Sequence, residues 1–377
     1  METLRNFIKF LEESLEEVKS KNLYRERLVI PDDFINFSSN DYLGLKDNQK
    51  TKEKLKENLE KLSLGSGASV LVSGYTQIQK DLEEFIANFK QTQSCIVVGS
   101  GYMANVGLIQ AIVKEEDVIF SDELNHASII DGIRLSKAKK VIYKHLDLND
   151  LEEKIKKTST RGIKYIITDG VFSMEGDIAP LDKLVEIVDK YDAVLIVDDA
   201  HGTGITGEGR GTLFHFSIKP KENIIQMGTL SKAVGSYGAF ICGCNTLIDY
   251  LVNKMRSVIF TTGLSPIQNF ISLENFKLLA EEDFRRFDVL KKAQYLYEKL
   301  NENGIDINFH NTPILSYVVK SEEKAIKIRN YLMENKIFVQ AIRPPTVPQG
   351  TSRLRITLTY NNKYEDIDKL LSLIKNL

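Results

Sequence analysis

Short runs of apolar and β-branched residues recur through the middle of the chain, separated by longer stretches with helical periodicity. Several of these runs lack the polar alternation of a half-exposed strand. Continuous apolar runs are typical of strands that helices cover on both faces. The pattern predicts strands at residues 94–99, 117–122, 139–145, 164–170, 193–199, 223–228 and 238–243.

Amphipathic helical patterns lie between these strands, as at Ile78–Phe89, Leu148–Lys157 and Pro180–Lys190. Strands that alternate with helices favour parallel pairing, because each helix carries the chain back to the start of the next strand. We therefore predict an α/β fold whose large domain has three layers, with a mostly parallel sheet between two layers of helices.

The pattern changes in the last third of the chain. A long charged and periodic stretch, Ile267–Asn303, predicts a connecting helix, and two further strands are predicted at 314–319 and 352–358. Helical patterns between and after these strands predict a smaller α/β domain at the C-terminus. The expected division is an N-terminal helical and strand segment at 1–42, a large domain at 43–278 and a small domain at 279–377.

The N-terminal residues predict an amphipathic helix, with acidic residues between its apolar positions Leu4, Phe7, Ile8, Leu11, Leu15 and Val18. A secretory signal needs a cationic start and an unbroken apolar run, and this segment has neither. No stretch of the sequence is apolar for long enough to form a transmembrane helix. We therefore expect a cytoplasmic protein that does not enter a membrane.

Composition narrows the classes of function that remain. Apolar residues make up 42% of the chain, and 50 basic residues against 52 acidic ones give a net charge of −2. This balance argues against a dedicated nucleic-acid binder, which carries a basic excess. Cys95, Cys242 and Cys244 are too few for a disulfide scaffold or a metal site, so we expect no metal and incidental thiols in a reducing compartment.

Chemically versatile side chains follow two of the predicted strands. Asp198 and His201 stand at the end of the strand at 193–199, and Lys232 follows the strand at 223–228. In open α/β sheets, ligands bind beyond the carboxyl ends of the strands. Taken singly, Asp198 also suits a helix N-cap, His201 a hydrogen-bonded polar residue and Lys232 an exposed turn. Their combination favours a shared site.

A lysine and an acidic partner are what pyridoxal phosphate (PLP) requires of a protein. The lysine carries the cofactor as an internal Schiff base, and the carboxylate keeps the pyridine nitrogen protonated because an opposite charge favours the charged form. The phosphate needs backbone N–H donors, which a helix N-terminus supplies. Residues 99–105 follow a predicted strand and open a helix, so they are a candidate phosphate cradle, with Tyr102 or His126 to stack on the ring.

Segments spread over nearly the whole chain resemble the α-oxoamine synthase family, the fold-type I PLP enzymes that condense an amino acid with an acyl thioester and decarboxylate it. They occur in the family's order and at its spacing. The segments are SSNDYLGL (38–45), GSGASVLVSGY (65–75), SGYMAN (100–105), LNHAS (124–128), TDGVFSMEGD (168–177), VDDAHGTG (197–204), GTLSKAVG (228–235) and RPPTVPQGTSRLRITL (343–358). The resemblance implies the aspartate-aminotransferase-like fold.

The resemblance also implies how the cofactor is held. Lys232 would form the Schiff base, Asp198 would face the pyridine nitrogen and His201 would hydrogen-bond the phenolic oxygen, while His126 would stack on the ring. The remaining implied contacts are the backbone N–H groups of Gly101 and Tyr102 and the hydroxyl of Thr229 at the phosphate, Ser173 beside the phenolic oxygen, and Thr262 from the neighbouring subunit. That last residue implies a homodimer with its active site at the subunit interface.

Asn40 and Arg353 resemble the groups that hold the amino-acid substrate. A guanidinium grips a carboxylate in bidentate fashion, but Arg355 lies on the same strand face, so spacing alone leaves both arginines open. The family motif selects Arg353. Arg25, with Arg27 as its alternative, would contact the acyl carrier or the distal carboxylate of the acyl group.

Within the family, residues 341–358 most resemble the branch that joins L-alanine to a pimeloyl thioester in biotin biosynthesis. Lys232 or a nearby group would move the alanine Cα proton, His126 would assist attack on the thioester, and Arg353 would hold the carboxylate until CO2 leaves. The sequence leaves pimeloyl-CoA and pimeloyl-acyl-carrier protein open as donors. The alternatives are the branch that uses glycine and acetyl-CoA and, from another class, a non-catalytic PLP-fold protein with a regulatory role.

Overall fold

In the computed structural model, which describes residues 2–375, helices and strands alternate along the chain as the apolar pattern predicts. The α-helices are α1 (Glu2–Ser20), α2 (Gln49–Asn58), α3 (Gln77–Phe89), α4 (Gly101–Ile112), α5 (Ala127–Ser136), α6 (Leu148–Lys157), α7 (Leu181–Lys190), α8 (Thr212–His215), α9 (Asn245–Lys254), α10 (Arg256–Ile259), α11 (Pro266–Glu281), α12 (Asp283–Glu302), α13 (Glu322–Glu334) and α14 (Tyr364–Ile374).

The strands are β1 (Ile35–Asn36), β2 (Ser94–Val98), β3 (Val118–Asp122), β4 (Lys139–Tyr143), β5 (Lys164–Asp169), β6 (Ala193–Asp198), β7 (Ile224–Thr229), β8 (Ala239–Gly243), β9 (Asn308–Phe309), β10 (Ile314–Lys320), β11 (Ile337–Phe338), β12 (Gln340–Ile342) and β13 (Ser352–Thr357). Short 3-10 turns cover Leu59–Lys61 and Gly207–Gly209, and a π-helical turn covers Val70–Gly74.

The large sheet has the strand order β2-β8-β7-β6-β5-β3-β4. All of the strands predicted in the middle of the chain take part in it. Strand β8 is antiparallel to both neighbours, and every other pair is parallel. The predicted mostly parallel sheet is therefore confirmed.

Successive residues of the central strands pack into different helix layers. Ile166 on β5 and Leu195 on β6 pack with residues of α6 and α7, whereas their neighbours Ile167 and Ile196 pack with residues of α4, α5 and α9. Side chains alternate between the two faces of a strand, so a strand with no polar alternation needs an apolar layer on each side. This packing is the physical cause of the continuous apolar runs in the sequence.

The parallel arrangement brings several loops to one edge of the sheet. Asp169 at the end of β5 pairs in register with Asp198 at the end of β6, and Asp198 pairs with Met227 near the end of β7. Strands β2 and β3 run in the same direction as these, and α4 and α5 begin just beyond them. The carboxyl edge thus collects two helix N-termini and the ends of three central strands.

The C-terminal part has its own antiparallel sheet, in the order β12-β13-β10-β9, with α13 packed against it. The two strands predicted in this part are β10 and β13. The short strand β1 pairs in parallel with β11, with Ile35 opposite Ile337, so the N-terminal segment is joined to the C-terminal part.

The predicted single connecting helix is wrong, because α11 and α12 are separated at Glu282. The backbone of this residue has φ −102° and ψ 59°, outside the helical region. Its carboxylate pairs with Lys50 and with Arg285. Lys50 lies far away in the sequence, so local periodicity carries no sign of this break.

Over residues 2–375, no helix combines the length and the apolar character that crossing a bilayer requires.

Candidate active site

A cavity of about 200 Å³ lies at the carboxyl edge of the large sheet, beyond the ends of β5, β6 and β7. Residues from the loops after several different strands line it together. The predicted cofactor residues among them are Gly101, Tyr102, His126, Ser173, Asp198, His201, Thr229 and Lys232. The parallel topology brings these residues together from across the sequence.

Lys232 lies in the turn between β7 and β8 and lines the cavity. Burial lowers the pKa of its ammonium group, against the attraction of the Asp198 and Asp169 carboxylates, and the Arg355 guanidinium lowers it further. A lowered pKa leaves more of the amine neutral, and the neutral amine is the nucleophile that a Schiff base requires.

Two buried acidic side chains, Asp169 and Asp198, lie next to each other at the edge of the sheet. Burial and the neighbouring Asp198 carboxylate raise the pKa of Asp169 well above its usual range. Asn105 donates from Nδ2 to Asp198 Oδ2 at 2.7 Å, and the Ala200 N–H donates to Asp198 Oδ1 at 3.0 Å. These two donors hold the Asp198 carboxyl group, which lines the cavity.

His126 caps the N-terminus of α5 and is held by Ser128. The Ser128 N–H donates to His126 Nδ1 at 3.3 Å, and the Ser128 hydroxyl lies 2.7 Å from the same nitrogen. Asn105 donates to that hydroxyl oxygen at 2.9 Å, which leaves the hydroxyl proton for the ring. Nδ1 of His126 is therefore an acceptor, and the ring proton lies on Nε2.

The start of α4 forms a cradle with free backbone donors. Ser100 caps the helix by accepting from the Met103 N–H, and Gly101 and Tyr102 follow with N–H groups that lack partners inside the helix. A Cβ on residue 101 would lie 2.7 Å from Thr229 Cγ2, so glycine is needed at this close approach. The hydroxyls of Thr229 and Ser231 complete this end of the cavity.

His145 joins the loops that carry His126 and Ser173. Its Nδ1 lies 2.9 Å from Asp122 Oδ1, just before the His126 loop, and its Nε2 lies 2.9 Å from Asp177 Oδ2, in the turn that contains Ser173. Burial opposes a charge on His145, but the hydrogen bonds and the attraction of the two carboxylates outweigh it and raise its pKa to about 10. The imidazolium therefore holds both loops by charge-assisted hydrogen bonds.

A second cavity of about 610 Å³ continues from the first, and it is also lined by His126, Ser173, His201 and Lys232. On one side it is bounded by Asn40 and Arg355, and on another by residues of the loop 345–348. Arg355 donates to Asn40 Oδ1 at 3.0 Å and, from Nε, to the Ser173 carbonyl.

Arg353, the arginine selected by the family motif, does not line either of these cavities. Its guanidinium donates to Glu175 Oε1 at 2.7 Å and to the carbonyls of Thr351 and Met174. Of the two arginines that the sequence left open, Arg355 is the one at the cavity. Arg353 is held at the side of the turn that contains Ser173.

Two other predicted residues lie outside both cavities. Thr262 forms an isolated bridge with Ser69 and lines a separate small cavity beside Gly263. Arg25 donates to the Pro344 carbonyl at 3.1 Å and therefore lies beside the loop that bounds the larger cavity. The predicted role of Thr262 in the neighbouring subunit's active site requires that it lie outside the cavity of its own subunit.

The sequence prediction missed Asn105, Asp169 and Tyr42 as members of the site. The first two lie inside the segments SGYMAN and TDGVFSMEGD. Asp169 stands at a strand end, so its position was an available signal, whereas Asn105 lies in the second turn of α4. Tyr42 lies in SSNDYLGL and contacts His201 through its hydroxyl at 2.6 Å. A lone tyrosine gives no such signal.

The groups at this edge match the chemical needs of PLP. A nucleophilic amine at Lys232 suits the aldehyde, the carboxylate of Asp198 suits the pyridine nitrogen, and the free N–H groups at Gly101 and Tyr102 suit the phosphate. The close approach of residue 101 to Thr229 shows that the cradle is kept open by a glycine.

Comparisons with known proteins agree with this fit. The family described as aminotransferase class I and II matches residues 32–374. A relative from Lysinibacillus sphaericus named 8-amino-7-oxononanoate synthase is 46% identical over 345 residues, which cover 91% of this chain and 88% of the relative.

Solved structures are also similar over most of the chain. Serine palmitoyltransferase from Sphingomonas wittichii matches with a TM-score of 0.87 at 27% identity, covering 91% of this chain and 86% of that one. The 8-amino-7-oxononanoate synthase from Francisella tularensis matches with a TM-score of 0.80 at 32% identity, covering 92% of this chain and 98% of that one. The predicted fold-type I architecture is therefore confirmed.

Proposed function

This chain belongs to the class I and II aminotransferase family and, within it, to the PLP-dependent α-oxoamine synthases, and on that premise we propose that it condenses L-alanine with a pimeloyl thioester. The products are 8-amino-7-oxononanoate, CO2 and a free thiol, and the reaction is a step of biotin biosynthesis. The acyl donor is pimeloyl-CoA or the pimeloyl-acyl-carrier protein.

The observation that carries this proposal is the composition of the cavity of about 610 Å³. Lys232 lies at one end, close to the Arg355 and Asn40 pair that suits the carboxylate of a small amino acid. The remaining wall includes the apolar side chains Leu124, Ile130, Met174, Pro345 and Val347, which suit an aliphatic acyl chain.

PLP, when bound, supplies an electron sink that stabilises negative charge at the alanine Cα. Lys232 would anchor it, Asp198 would hold the positive charge of the pyridine nitrogen, and His201 would donate to the phenolic oxygen, with Ser173 beside that oxygen. His126 would stack on the ring. Gly101, Tyr102 and Thr229 would donate to the phosphate. The hydrogen bonds that Asn105 and the Ala200 N–H donate to the Asp198 carboxyl group support the second of these roles, because they hold this group at the cavity.

Arg355, rather than Arg353, binds the alanine carboxylate in this account. Its guanidinium lines the cavity, whereas that of Arg353 is already engaged by Glu175. Arg353 then positions the turn at Met174 and Glu175, and Asn40 fixes the plane of the Arg355 guanidinium. A held carboxylate keeps the alanine oriented until its bond to Cα breaks and CO2 leaves.

Lys232 moves the proton at the alanine Cα, since its lowered pKa favours the neutral base once the amine is free. His126 assists at the thioester. Its Nδ1 accepts from Ser128, so its Nε2–H can donate to the carbonyl oxygen as negative charge develops there. The bond between the alanine Cα and the acyl carbon forms as the thiolate leaves.

The acyl carrier approaches over the loop 345–348, with Arg25 at its side. Arg25 is bound to the Pro344 carbonyl and carries a positive charge at this point. That charge suits the distal carboxylate of a pimeloyl group or the phosphates of its carrier. Thr262 supplies a hydroxyl to the phosphate of the neighbouring subunit's cofactor in a homodimer with interfacial active sites.

A substrate panel tests the proposed function. The purified PLP-loaded enzyme is supplied with alanine or glycine, each paired with pimeloyl-CoA, pimeloyl-acyl-carrier protein or acetyl-CoA, and the product mass is measured. We expect 8-amino-7-oxononanoate from alanine and a pimeloyl donor, and no product from the Lys232→Ala variant. A preference for glycine with acetyl-CoA would instead support the sister activity, and absence of turnover with every pair would support a non-catalytic role.

A further inference from the structure

We propose that Tyr42 is a positioning residue that fixes His201 as the tautomer with its proton on Nε2, and that it thereby links His201 to Arg355. The structural part of this proposal concerns only side chains of the chain itself. Its value for catalysis rests on the proposed function, because it requires His201 to contact the phenolic oxygen of PLP.

The geometry around the Tyr42 hydroxyl carries the proposal. The oxygen lies 2.6 Å from His201 Nδ1, and Arg355 Nη2 donates to it at 3.3 Å. Asn40 Oδ1 lies 3.4 Å away and already accepts from Arg355 Nη1 at 3.0 Å. The Tyr42 hydroxyl can donate one hydrogen bond, and the short distance to His201 Nδ1 makes this nitrogen the preferred acceptor.

The opposite tautomer leaves this cluster poorly satisfied. If Nδ1 of His201 carried the proton, Nδ1 and Arg355 would both donate to the Tyr42 oxygen. The Tyr42 proton would then have only the long 3.4 Å contact to Asn40, whose oxygen also accepts from Arg355 at 3.0 Å. Buried polar groups that lack good partners are costly, so the hydrogen-bond pattern selects the Nε2–H form.

His201 has a single ring proton because it is neutral. Burial lowers the pKa of His201 well below its usual range, and the neighbouring Lys232, Arg355 and His126 groups lower it further. Nε2 lies on the ring edge away from Tyr42, and His201 lines both cavities. The Nε2–H is thus available as a hydrogen-bond donor to a ligand atom.

Tyr42 itself has little freedom to move. Its side chain is fully buried, the Tyr360 N–H donates to its carbonyl at 2.8 Å, and its own N–H donates to the Asn40 carbonyl at 2.8 Å. The next turn of chain is tied by Asp41, which accepts from the Leu45 N–H at 2.9 Å. Because the Tyr42 hydroxyl contacts both His201 and Arg355 and is held rigidly, it couples the protonation of His201 to the position of the Arg355 guanidinium.

The tautomer of wild-type His201 can be read directly. Histidine-labelled full-length protein, with and without PLP, is studied by 15N–1H correlation of the ring nitrogens, and His201→Gln assigns the signal. We expect a protonated Nε2 and an unprotonated Nδ1 for His201 in both states. A protonated Nδ1 would overturn the proposal, whatever any variant does.

Tyr42→Phe removes the hydroxyl and keeps the ring, and Tyr165→Phe is its matched control. Tyr165 is also buried, but its hydroxyl donates to the Ile112 carbonyl at 3.0 Å, outside the site. We expect Tyr42→Phe to shift the His201 ring signals, to raise the pH midpoint of the bound cofactor's visible band and to lower kcat by about tenfold. The control should change none of these.

The groups that face His201 and could shift such a midpoint are Lys232, Arg355 and His126, and all three are intact in Tyr42→Phe. Unchanged His201 signals and an unchanged midpoint in this variant would refute the positioning role. If the wild-type enzyme fails to condense alanine with a pimeloyl thioester, the proposed function fails, but the ring-nitrogen measurement still decides the tautomer.

Discussion

At the scale of single residues, the position of a charged group matters more than its identity. Arg353 and Arg355 are the same residue type on the same face of β13. The guanidinium of Arg353 is paired with Glu175, whereas Arg355 lines the cavity. Tyr42 and Asn40 then fix the direction of the Arg355 guanidinium. The proposed substrate contact of Arg355 depends on these neighbours.

We predict that Arg355→Lys raises the KM for alanine by about tenfold or more, because an ammonium keeps the charge but loses the bidentate fork. Steady-state kinetics at saturating acyl donor measure this change. Arg353→Lys is the matched control, and it should leave the alanine KM within about threefold of wild type. A larger effect on alanine binding from Arg353→Lys than from Arg355→Lys would contradict the assignment.

At the scale of elements, buried and half-buried ion pairs connect the loops that form the site. His145 joins the His126 loop to the Ser173 turn through two carboxylates. Below the loop 198–203, the fully buried Lys90 donates to Asp199 Oδ2 at 2.9 Å and to the Arg210 carbonyl at 2.7 Å. Asp199 also accepts from Thr212, so the loop behind Asp198 is held from below.

His145→Gln should destabilise the protein in a pH-dependent way. The folded-state pKa of His145, about 10, lies above its ordinary value of 6.5, so its contribution is fully present below pH 6.5 and is lost as the pH rises through 10. We expect wild type to exceed the variant by about 2 kcal/mol in free energy of unfolding near pH 6, and the gap to close near pH 10. Urea denaturation at both pH values measures it, and a gap that widens with pH would refute the role.

Lys90→Met should cost about 3–5 kcal/mol of stability, because it leaves the buried Asp199 carboxylate without its cation. Lys80→Met on α3 is the matched control, since Lys80 is an exposed lysine 3.7 Å from Glu84. Its effect should stay below about 1 kcal/mol. Urea denaturation measures the free energy of unfolding of both variants. An equal loss of stability in the two would show that the Lys90–Asp199 pair does not stabilise the loop.

At the scale of the whole molecule, the proposed cofactor site requires a second copy of the chain. Thr262 lies beside Ser69 and Gly263 and does not line the Lys232 cavity of its own chain. In the proposed homodimer, this residue would reach the phosphate of the other subunit's cofactor. The site would then be complete only in the assembled protein.

Thr262→Val should weaken PLP binding by about tenfold, the loss of one hydrogen bond to a charged group. Equilibrium titration of cofactor-free protein with PLP measures the affinity, and sedimentation should give a mass near twice 42.8 kDa. Thr261→Val is the control, because Thr261 lines the same small cavity and has no assigned contact to the cofactor. A monomer with full affinity for PLP would contradict this part of the account.

Most of the large sheet could be predicted from the sequence, because burial on both faces leaves an unbroken apolar run at its central strands. The break at Glu282 could not, because the charge that pairs with this residue there comes from Lys50, which lies far away along the chain. For the same reason, Arg353 and Arg355 could not be told apart from the period of a strand. Lys90 reads as an ordinary charged residue at a helix end, and only the packed structure reveals Asp199 beside it.

The central claim is the decarboxylative joining of alanine to a pimeloyl group at Lys232. Its most direct measurement supplies the PLP-loaded enzyme with alanine labelled in the carboxyl carbon and with a pimeloyl thioester, and then follows the label by mass. The account predicts labelled CO2 in the same amount as unlabelled 8-amino-7-oxononanoate, and neither product from Lys232→Ala. Label retained in the amino ketone, or labelled CO2 released without any acyl donor, would contradict it.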